Sequence, residues 1–195
     1  MSAVLVKTKK ALEEAIIGES EAITKYKAYE KKALEEGFTN IAYLFKALVQ
    51  AEEFHNRNHG NALKQVSKGE FQLPDPKVHV GSTLENVLES INAEHYEAKE
   101  WYPGFIKDIR SELNEEDARV ARLSFSWAEE VELGHEQALK IALKALENGQ
   151  DLDVERIYVC RVCGNLVFNE PEDFCSVCGH DERFYDLIKR TEEEL

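Results

Sequence analysis

The strongest constraint in this sequence is a charged interruption of an apolar helical stripe, Ala51-Glu52-Glu53-Phe54-His55. Around it Ile41, Leu44, Phe45 and Leu48, then Ala62, Leu63 and Val66, recur with the period of a buried helix face. Glu52 and His55 fall on that stripe and Glu53 falls off it, so the inward charge follows from position and not from an acidic composition. A buried carboxylate without a partner is costly, and such groups are normally paired or bound to metal. The rest of the chain must therefore supply partners for Glu52 and His55.

Three other helical segments do so. The first is expected from Thr8 to Glu36, stopped by Gly37, with the stripe Leu12, Ile16, Glu19, Ile23, Tyr26, Ala33. Glu19 interrupts that stripe, whereas Glu13, Glu14, Glu35 and Glu36 lie off it. Thr39 or Asn40 is the expected cap of the second helix, which fades near Ser67-Lys68-Gly69. The segment from Gly69 to Gly81, with Pro74 and Pro76, is longer than neighbouring helices need and reads as a crossover between two helical hairpins. Ser82 and Glu85 form a capping-box pattern for a third helix. Its expected stripe is Leu84, Val87, Leu88, Ile91, Glu94, Ala98, Tyr102, Phe105, Ile109. Glu94 lies on it, Glu97 follows one turn later on the same side, His95 points elsewhere, and Pro103-Gly104 should kink or end the helix. Asn114, followed by Glu115-Glu116-Asp117, is the expected cap of a fourth helix. That helix carries Ala118, Ala121, Phe125, Ala128, Glu132, His135, Leu139, Ala142 and Leu146 inward, with Glu129 and Glu130 off the stripe. The order is an inward Glu, then Glu-x-x-His, then an inward Glu, then Glu-x-x-His. That is the pattern by which di-iron bundles hold their metals.

Helical periodicity ends after Gly149, dividing the chain into an expected bundle, residues 1–150, and a small module, residues 151–195. All four Cys lie in the module as Cys160-x-x-Cys163 and Cys175-x-x-Cys178, each pair followed by Gly. Two such pairs about a dozen residues apart read as a tetrathiolate site for iron or zinc. In a reducing compartment metal takes precedence over disulfide, and no Cys is left over as a nucleophile. A net charge of −14 and a pI near 4.9 disfavour nucleic acid and anionic lipid surfaces. No apolar run approaches the roughly 20 residues of a membrane helix, and Met1-Ser2-Ala3-Val4-Leu5 lacks a signal-peptide core, so the expected address is the cytoplasm.

Together the residues resemble the rubrerythrin family over essentially the whole chain. The matching pieces are Gly18-Glu19-Ser20 with Tyr26, Glu52-x-x-His55, Glu94-x-x-Glu97 with Tyr102-Pro103-Gly104-Phe105, Glu132-x-x-His135, and the rubredoxin-like four-Cys module. The expected fold is mainly α, a four-helix ferritin-like bundle followed by a small β-rich rubredoxin-like module. The expected cofactors are two iron ions in a carboxylate-bridged site of Glu19, Glu52, His55, Glu94, Glu97, Glu132 and His135, and one iron held by Cys160, Cys163, Cys175 and Cys178. The resemblance implies that Glu97 binds in the diferric state and His55 in the diferrous state. It also implies a homodimer in which one subunit's Cys module lies near the other's di-iron site.

Hard anionic ligands favour Fe(III), so the reduced pair is a ready two-electron donor, and hydrogen peroxide needs two electrons to become water. The expected activity is a peroxidase, with Tyr26 and Tyr102 as hydrogen-bonding groups near the reacting oxygen and His59 beside the ligands. No Gly-x-Gly-x-x-Gly is present, so NADH would act through a separate electron donor such as a rubredoxin or its reductase. A ferroxidase or iron-storage role is the alternative, opposed by the Cys module, which storage does not need. An interaction protein with a structural zinc ribbon is a further alternative, opposed by the inward ligands. Two departures from the family pattern lie in the module: Ser176 stands where rubredoxin knuckles usually have Pro, and the chain continues past Asp186-Leu187-Ile188 to Glu192-Glu193-Glu194.

Overall fold

The apolar periods of the sequence become helices, and the groups that end them are identifiable. A computed structural model describes residues 5–67 and 72–191. Helices α1 (Val6–Glu35) and α2 (Thr39–Val66) pack along each other as a hairpin. Gly37, at φ +84°, closes the turn: its N–H donates to the Leu34 carbonyl, and the Phe38 N–H donates to the Ala33 carbonyl. Only a residue at ease in the left-handed region permits that pair of bonds.

Both N-termini of this hairpin are capped from far along the chain. Glu112 accepts from the Lys7 and Thr8 N–H groups at 3.1 and 2.9 Å. Asp151 accepts from the Asn40 and Ile41 N–H groups at 2.8 and 3.1 Å. The expectation that Thr39 or Asn40 caps α2 is thereby corrected, since both lie inside the helix. A carboxylate at a helix N-terminus satisfies orphan donors and also complements the dipole.

The crossover reaches α3 (Thr83–Tyr96) through residues 72–81, which form no regular element. Lys68 and Gly69, and Glu192 to Glu194 at the other end, lie outside the described residues. The capping box forms, with Glu85 N–H donating to Ser82 Oγ at 3.3 Å and Ser82 N–H donating to Glu85 Oε2 at 2.8 Å. The inward face of α3 is Thr83, Asn86, Val87, Ser90 and Glu94, whereas Leu84 and Leu88 are each 42% exposed. The expected stripe is therefore rotated at its start. Asn86 causes this by clasping Gly81, accepting its N–H at 2.9 Å and donating to its carbonyl at 3.2 Å.

Pro103-Gly104 does not end the third helical path. A widened π-helical turn, Glu97–Trp101, precedes α4 (Tyr102–Asp108), and the Tyr102 N–H donates to the Glu97 carbonyl. Pro103 sits in the first turn of α4, where its missing N–H is harmless. The wide turn keeps Glu94, Ala98 and Tyr102, each four residues apart, on one buried line. A 3₁₀ turn, Ile109–Glu112, leads to α5 (Glu116–Glu147). Its N-cap is Glu115 and not Asn114, and no side chain caps it.

The final module is an antiparallel sheet in the order β2-β1-β3, from β1 (Ile157–Cys160), β2 (Leu166–Phe168) and β3 (Tyr185–Leu187). It docks on α2 through buried Tyr43, whose hydroxyl donates to the Ile188 carbonyl at 2.6 Å and accepts from the Ile157 N–H at 3.1 Å. The Arg190 guanidinium lies 4.0 Å from the centre of the same ring. One apolar cluster runs from Tyr29, Phe45 and Leu139 of the bundle into Leu152, Ile157 and Val159 of the module. The architecture is thus a mainly α bundle with a small β-rich module against it. Among the described residues no helix is long and apolar enough to cross a membrane.

Candidate metal centres

The Glu-x-x-His spacing places each histidine one turn beyond its glutamate on the same helix face. Glu52 and His55 from α2 thereby meet Glu132 and His135 from α5, with Glu19 arriving from α1 and Glu94 from α3. All six are at most 1% exposed. His55 Nδ1 lies 2.8 Å from Glu52 Oε2 and 3.0 Å from Glu132 Oε1. His135 Nδ1 lies 2.8 Å from Glu132 Oε2 and 3.3 Å from Glu52 Oε1. Glu52 and Glu132 therefore each give one oxygen to each half of the cluster. Glu19 completes the first half, 3.7 Å from His55, and Glu94 the second, 3.5 Å from His135.

The donor set fits two metal ions. In each half, Glu19-Glu52-His55-Glu132 and Glu52-Glu94-Glu132-His135, the ligand atoms all lie within 4.8 Å of one another. Glu19 Oε2, Glu94 Oε2, both Glu132 oxygens and both histidine Nδ1 atoms are buried without a hydrogen-bond partner. Orphaned anionic and lone-pair donors at this density require cations between them. Burial, and then the charge of Glu52, pushes the Glu132 carboxyl up to about 8. For Glu19 burial works in the same direction, but the neighbouring imidazoles of His55 and His59 outweigh it and hold the group below the usual carboxylate range. Four carboxylates this close cannot all stay ionised without added positive charge. The buried Glu/His cluster fits a di-iron site.

Glu97 stands apart from both halves. It is half-buried, lines a neighbouring cavity, and does not join either group of four. Burial, and then the charges of Glu132 and Glu19, push its carboxyl well above the usual range. Tyr26 donates its hydroxyl proton to Glu94, and Tyr102 donates to Glu19. His59 is fully buried between Ser124 Oγ at 3.0 Å and the Tyr102 hydroxyl at 3.2 Å. His95 lies on the surface beside Glu136, and Glu129 and Glu130 are outside the cluster.

The four cysteines form the second centre. Cys163 and Cys175 Sγ are 3.6 Å apart, Cys160 and Cys178 Sγ are 3.7 Å apart, and none forms a disulfide. Hydrogen bonds to Cys160 and Cys175, and then burial, push the Cys163 thiol up. The set fits a rubredoxin-like iron site. Ser176 now has a structural reason: its N–H, which Pro would lack, donates to Glu172 Oε2 at 2.9 Å, and the Tyr185 hydroxyl donates to the same oxygen at 2.8 Å.

The two centres touch. Three side chains of α2 grip consecutive carbonyls of the first Cys loop: Arg57 holds Arg161, Asn58 holds Val162 at 2.7 Å, and His55 Nε2 donates to Cys163 at 2.9 Å. His135 Nε2 donates to the Gly164 carbonyl at 3.3 Å. These bonds fix each imidazole with its proton on Nε2 and its Nδ1 lone pair toward the carboxylates. Gly164, at φ +91°, makes the approach possible, because a Cβ there would lie 2.6 Å from His55 Nε2. The resemblance placed the module of one subunit against the cluster of another; in this structure loop and cluster belong to one chain. Sequence reasoning missed Arg57, Asn58 and Tyr43, whose partners lie more than 100 residues away. Only the Gly after the Cys pair signalled a close backbone approach.

Comparison with known proteins gives a consistent picture. The family model described as Rubrerythrin matches residues 10–143. The chain is 30% identical to Rubrerythrin-2 of Clostridium acetobutylicum over 174 residues, covering 86% of this chain and 89% of that protein. It is 31% identical to a putative rubrerythrin of Methanocaldococcus jannaschii, covering 92% of each. The solved structure of nigerythrin in a mixed-valence state superposes with a TM-score of 0.82 at 27% identity, over 92% of this chain and 86% of that one.

Proposed function

Because the chain belongs to the rubrerythrin family, we propose that it is a di-iron peroxidase that reduces hydrogen peroxide to water. Its electrons are relayed through the Cys-bound iron. The observation that carries this reading is the His55–Cys163 hydrogen bond, which joins a one-electron site to a two-metal site. An iron-storage protein has no use for such an inlet. When bound, the iron pair supplies the two electrons that peroxide needs, and the Cys-bound iron replaces them one at a time.

The chain's own residues account for the rest. With two metal ions bound, Glu52 and Glu132 would serve both positions, Glu19 and His55 would complete one half, and Glu94 and His135 the other. Glu97, at the cavity side and outside both groups of four, would be the reserve ligand that takes the place of His55 with the redox state, as the family resemblance implies. Burial, and then the neighbouring Glu94 and Glu19 charges, keep the Tyr26 and Tyr102 phenols protonated. Each therefore remains a hydrogen-bond donor beside the cluster and orients one carboxylate. From Cys163 Sγ the path runs through its own carbonyl, one hydrogen bond and the His55 ring to the carboxylates. Electrons from NADH reach the Cys site through a separate donor of the rubredoxin kind, in a cytoplasmic homodimer.

The test is rapid mixing of hydrogen peroxide with the anaerobically reduced, iron-loaded protein while the visible bands of both centres are followed. Fast oxidation of both centres at about two electrons per peroxide supports the reading. Sluggish reaction with peroxide, together with turnover of added Fe(II) and dioxygen, replaces it with a ferroxidase.

A further inference from the structure

A cavity of about 280 Å³ lies between α1 and α3 on the Glu97 side of the carboxylate cluster. That volume is roughly nine times the ~30 Å³ share of one water in the liquid, so hydrogen peroxide would leave most of it empty. It approaches the size of small-molecule sites, which start near about 300 Å³ and are lined by aromatic groups with few polar ones. Part of the wall has that character: Tyr26, Tyr29 and Trp101 supply rings, and Ala22 and Ala93 leave the space between the helices open. Gly18 is part of the construction. A Cβ there would overlap the six-membered ring of Trp101, so glycine lets the indole lie flush on α1 and close one end.

Polar groups also line the cavity: Glu21, Lys25, Glu89, Ser90 and Glu97. At the rim Lys25 pairs with Glu89 at 2.9 Å. At the inner end stand Glu97 and Tyr26, and the Tyr26 hydroxyl bonds the cluster residue Glu94. A ligand with an aromatic or branched apolar body and one oxygen-bearing end is complementary to this arrangement.

We propose that the cavity seats the organic part of alkyl and aryl hydroperoxides, with the peroxide end directed to Glu97 and Tyr26. The inference rests on the peroxidase reading for its electrons. The reaction balances as ROOH plus two protons and two electrons giving ROH and water. The O–O bond breaks, the inner oxygen stays with the organic group as the alcohol, and the outer oxygen leaves as water. The electrons are those of the same reduced iron that the peroxidase reaction uses.

Two measurements on the full iron-loaded chain test this. Calorimetric titration of the oxidised protein with 2-phenyl-2-propanol, the inert alcohol of cumene hydroperoxide, reads the cavity without turnover. Rapid mixing of the reduced protein with cumene hydroperoxide and with hydrogen peroxide gives the ratio of the two kcat/KM values. Ala93→Phe fills the cavity and Ala22→Leu fills it partly, with circular dichroism and the Cys-iron band reporting that each variant is folded. The expected result is binding of the alcohol to the wild type, with affinity and the organic-to-hydrogen-peroxide ratio falling by about tenfold or more on filling. No binding to the wild type, or a ratio unchanged in the folded variants, overturns the proposal. If hydrogen peroxide itself is inert, the peroxidase reading fails, and loss or retention of alcohol binding on filling then decides the cavity alone.

Discussion

The Nε2 atom of His55 donates a hydrogen bond to the backbone carbonyl of Cys163 at 2.9 Å, so a cluster histidine and a thiolate residue are separated by a single non-covalent contact. Gly164 sits directly beyond that carbonyl, with His55 Nε2, His55 Cδ2 and the Ala51 carbonyl at 2.6, 3.0 and 3.1 Å from where its Cβ would be. Gly164→Ala must move the loop away from α2 and also accept a left-handed backbone, a cost of about 1–3 kcal/mol. The expected outcome is normal iron content with slowed re-reduction of the di-iron site after a peroxide pulse. Rapid-mixing traces in which the Cys-bound iron still feeds the cluster at the wild-type rate would count against the relay.

Bridging and terminal glutamates should differ in iron retention. Glu52 belongs to both halves of the cluster and Glu19 to one. Glu52→Ala is expected to empty the bundle of iron, and Glu19→Ala to leave one half-site loaded, while the Cys-bound iron stays in both. Elemental analysis per chain, with the visible Cys-iron band as reference, decides it. Chelation should likewise lower the thermal midpoint of the wild type, because buried donors without partners are stabilised only by the ion.

Tyr102 joins Glu19 to His59. Tyr102→Phe removes that hydroxyl and leaves the Glu19 oxygen and His59 Nε2 without it, at a cost of about 1–3 kcal/mol. Iron is expected to remain bound while peroxide oxidises the reduced pair more slowly. Denaturant unfolding and rapid mixing give the two readouts, and an unchanged rate would confine Tyr102 to a packing role.

The Glu112 cap supplies a pH signature. Burial alone would raise its carboxyl, but hydrogen bonds from Thr8 and Lys7 outweigh this and hold it below its ordinary 4.5. A depressed folded value means the stabilisation is complete above pH 4.5 and fades as pH falls below it. Glu112→Ala should cost about 1 kcal/mol near neutral pH. The difference from wild type should shrink in acid, as measured by denaturant midpoints at the two pH values.

The inward Glu and Glu-x-x-His pairs were legible because helix periodicity is local: residues three or four apart share a face whatever the rest of the chain does. Both Cys pairs, the Ser82–Glu85 box and the stop at Gly37 were equally local. The rotation of α3, with Leu84 and Leu88 outward, was not legible, because Asn86 rather than an apolar residue fixes the inward side by holding Gly81. Glu97 read as a seventh ligand, yet the widened turn beginning at that residue leaves it at the cavity wall, outside both groups.

The sequence by itself determined which Glu and His interrupt the apolar faces of α1, α2 and α5, which pairs share a helix turn, and that sulfur and carboxylate ligands occupy separate parts of the chain. Tertiary structure alone decided how these parts meet. The caps of α1 and α2 come from Glu112 and Asp151, and the imidazole of His55 finds its carbonyl 108 residues away. Each of those bonds joins groups that no local window contains, and only the packed chain brings them within hydrogen-bonding distance.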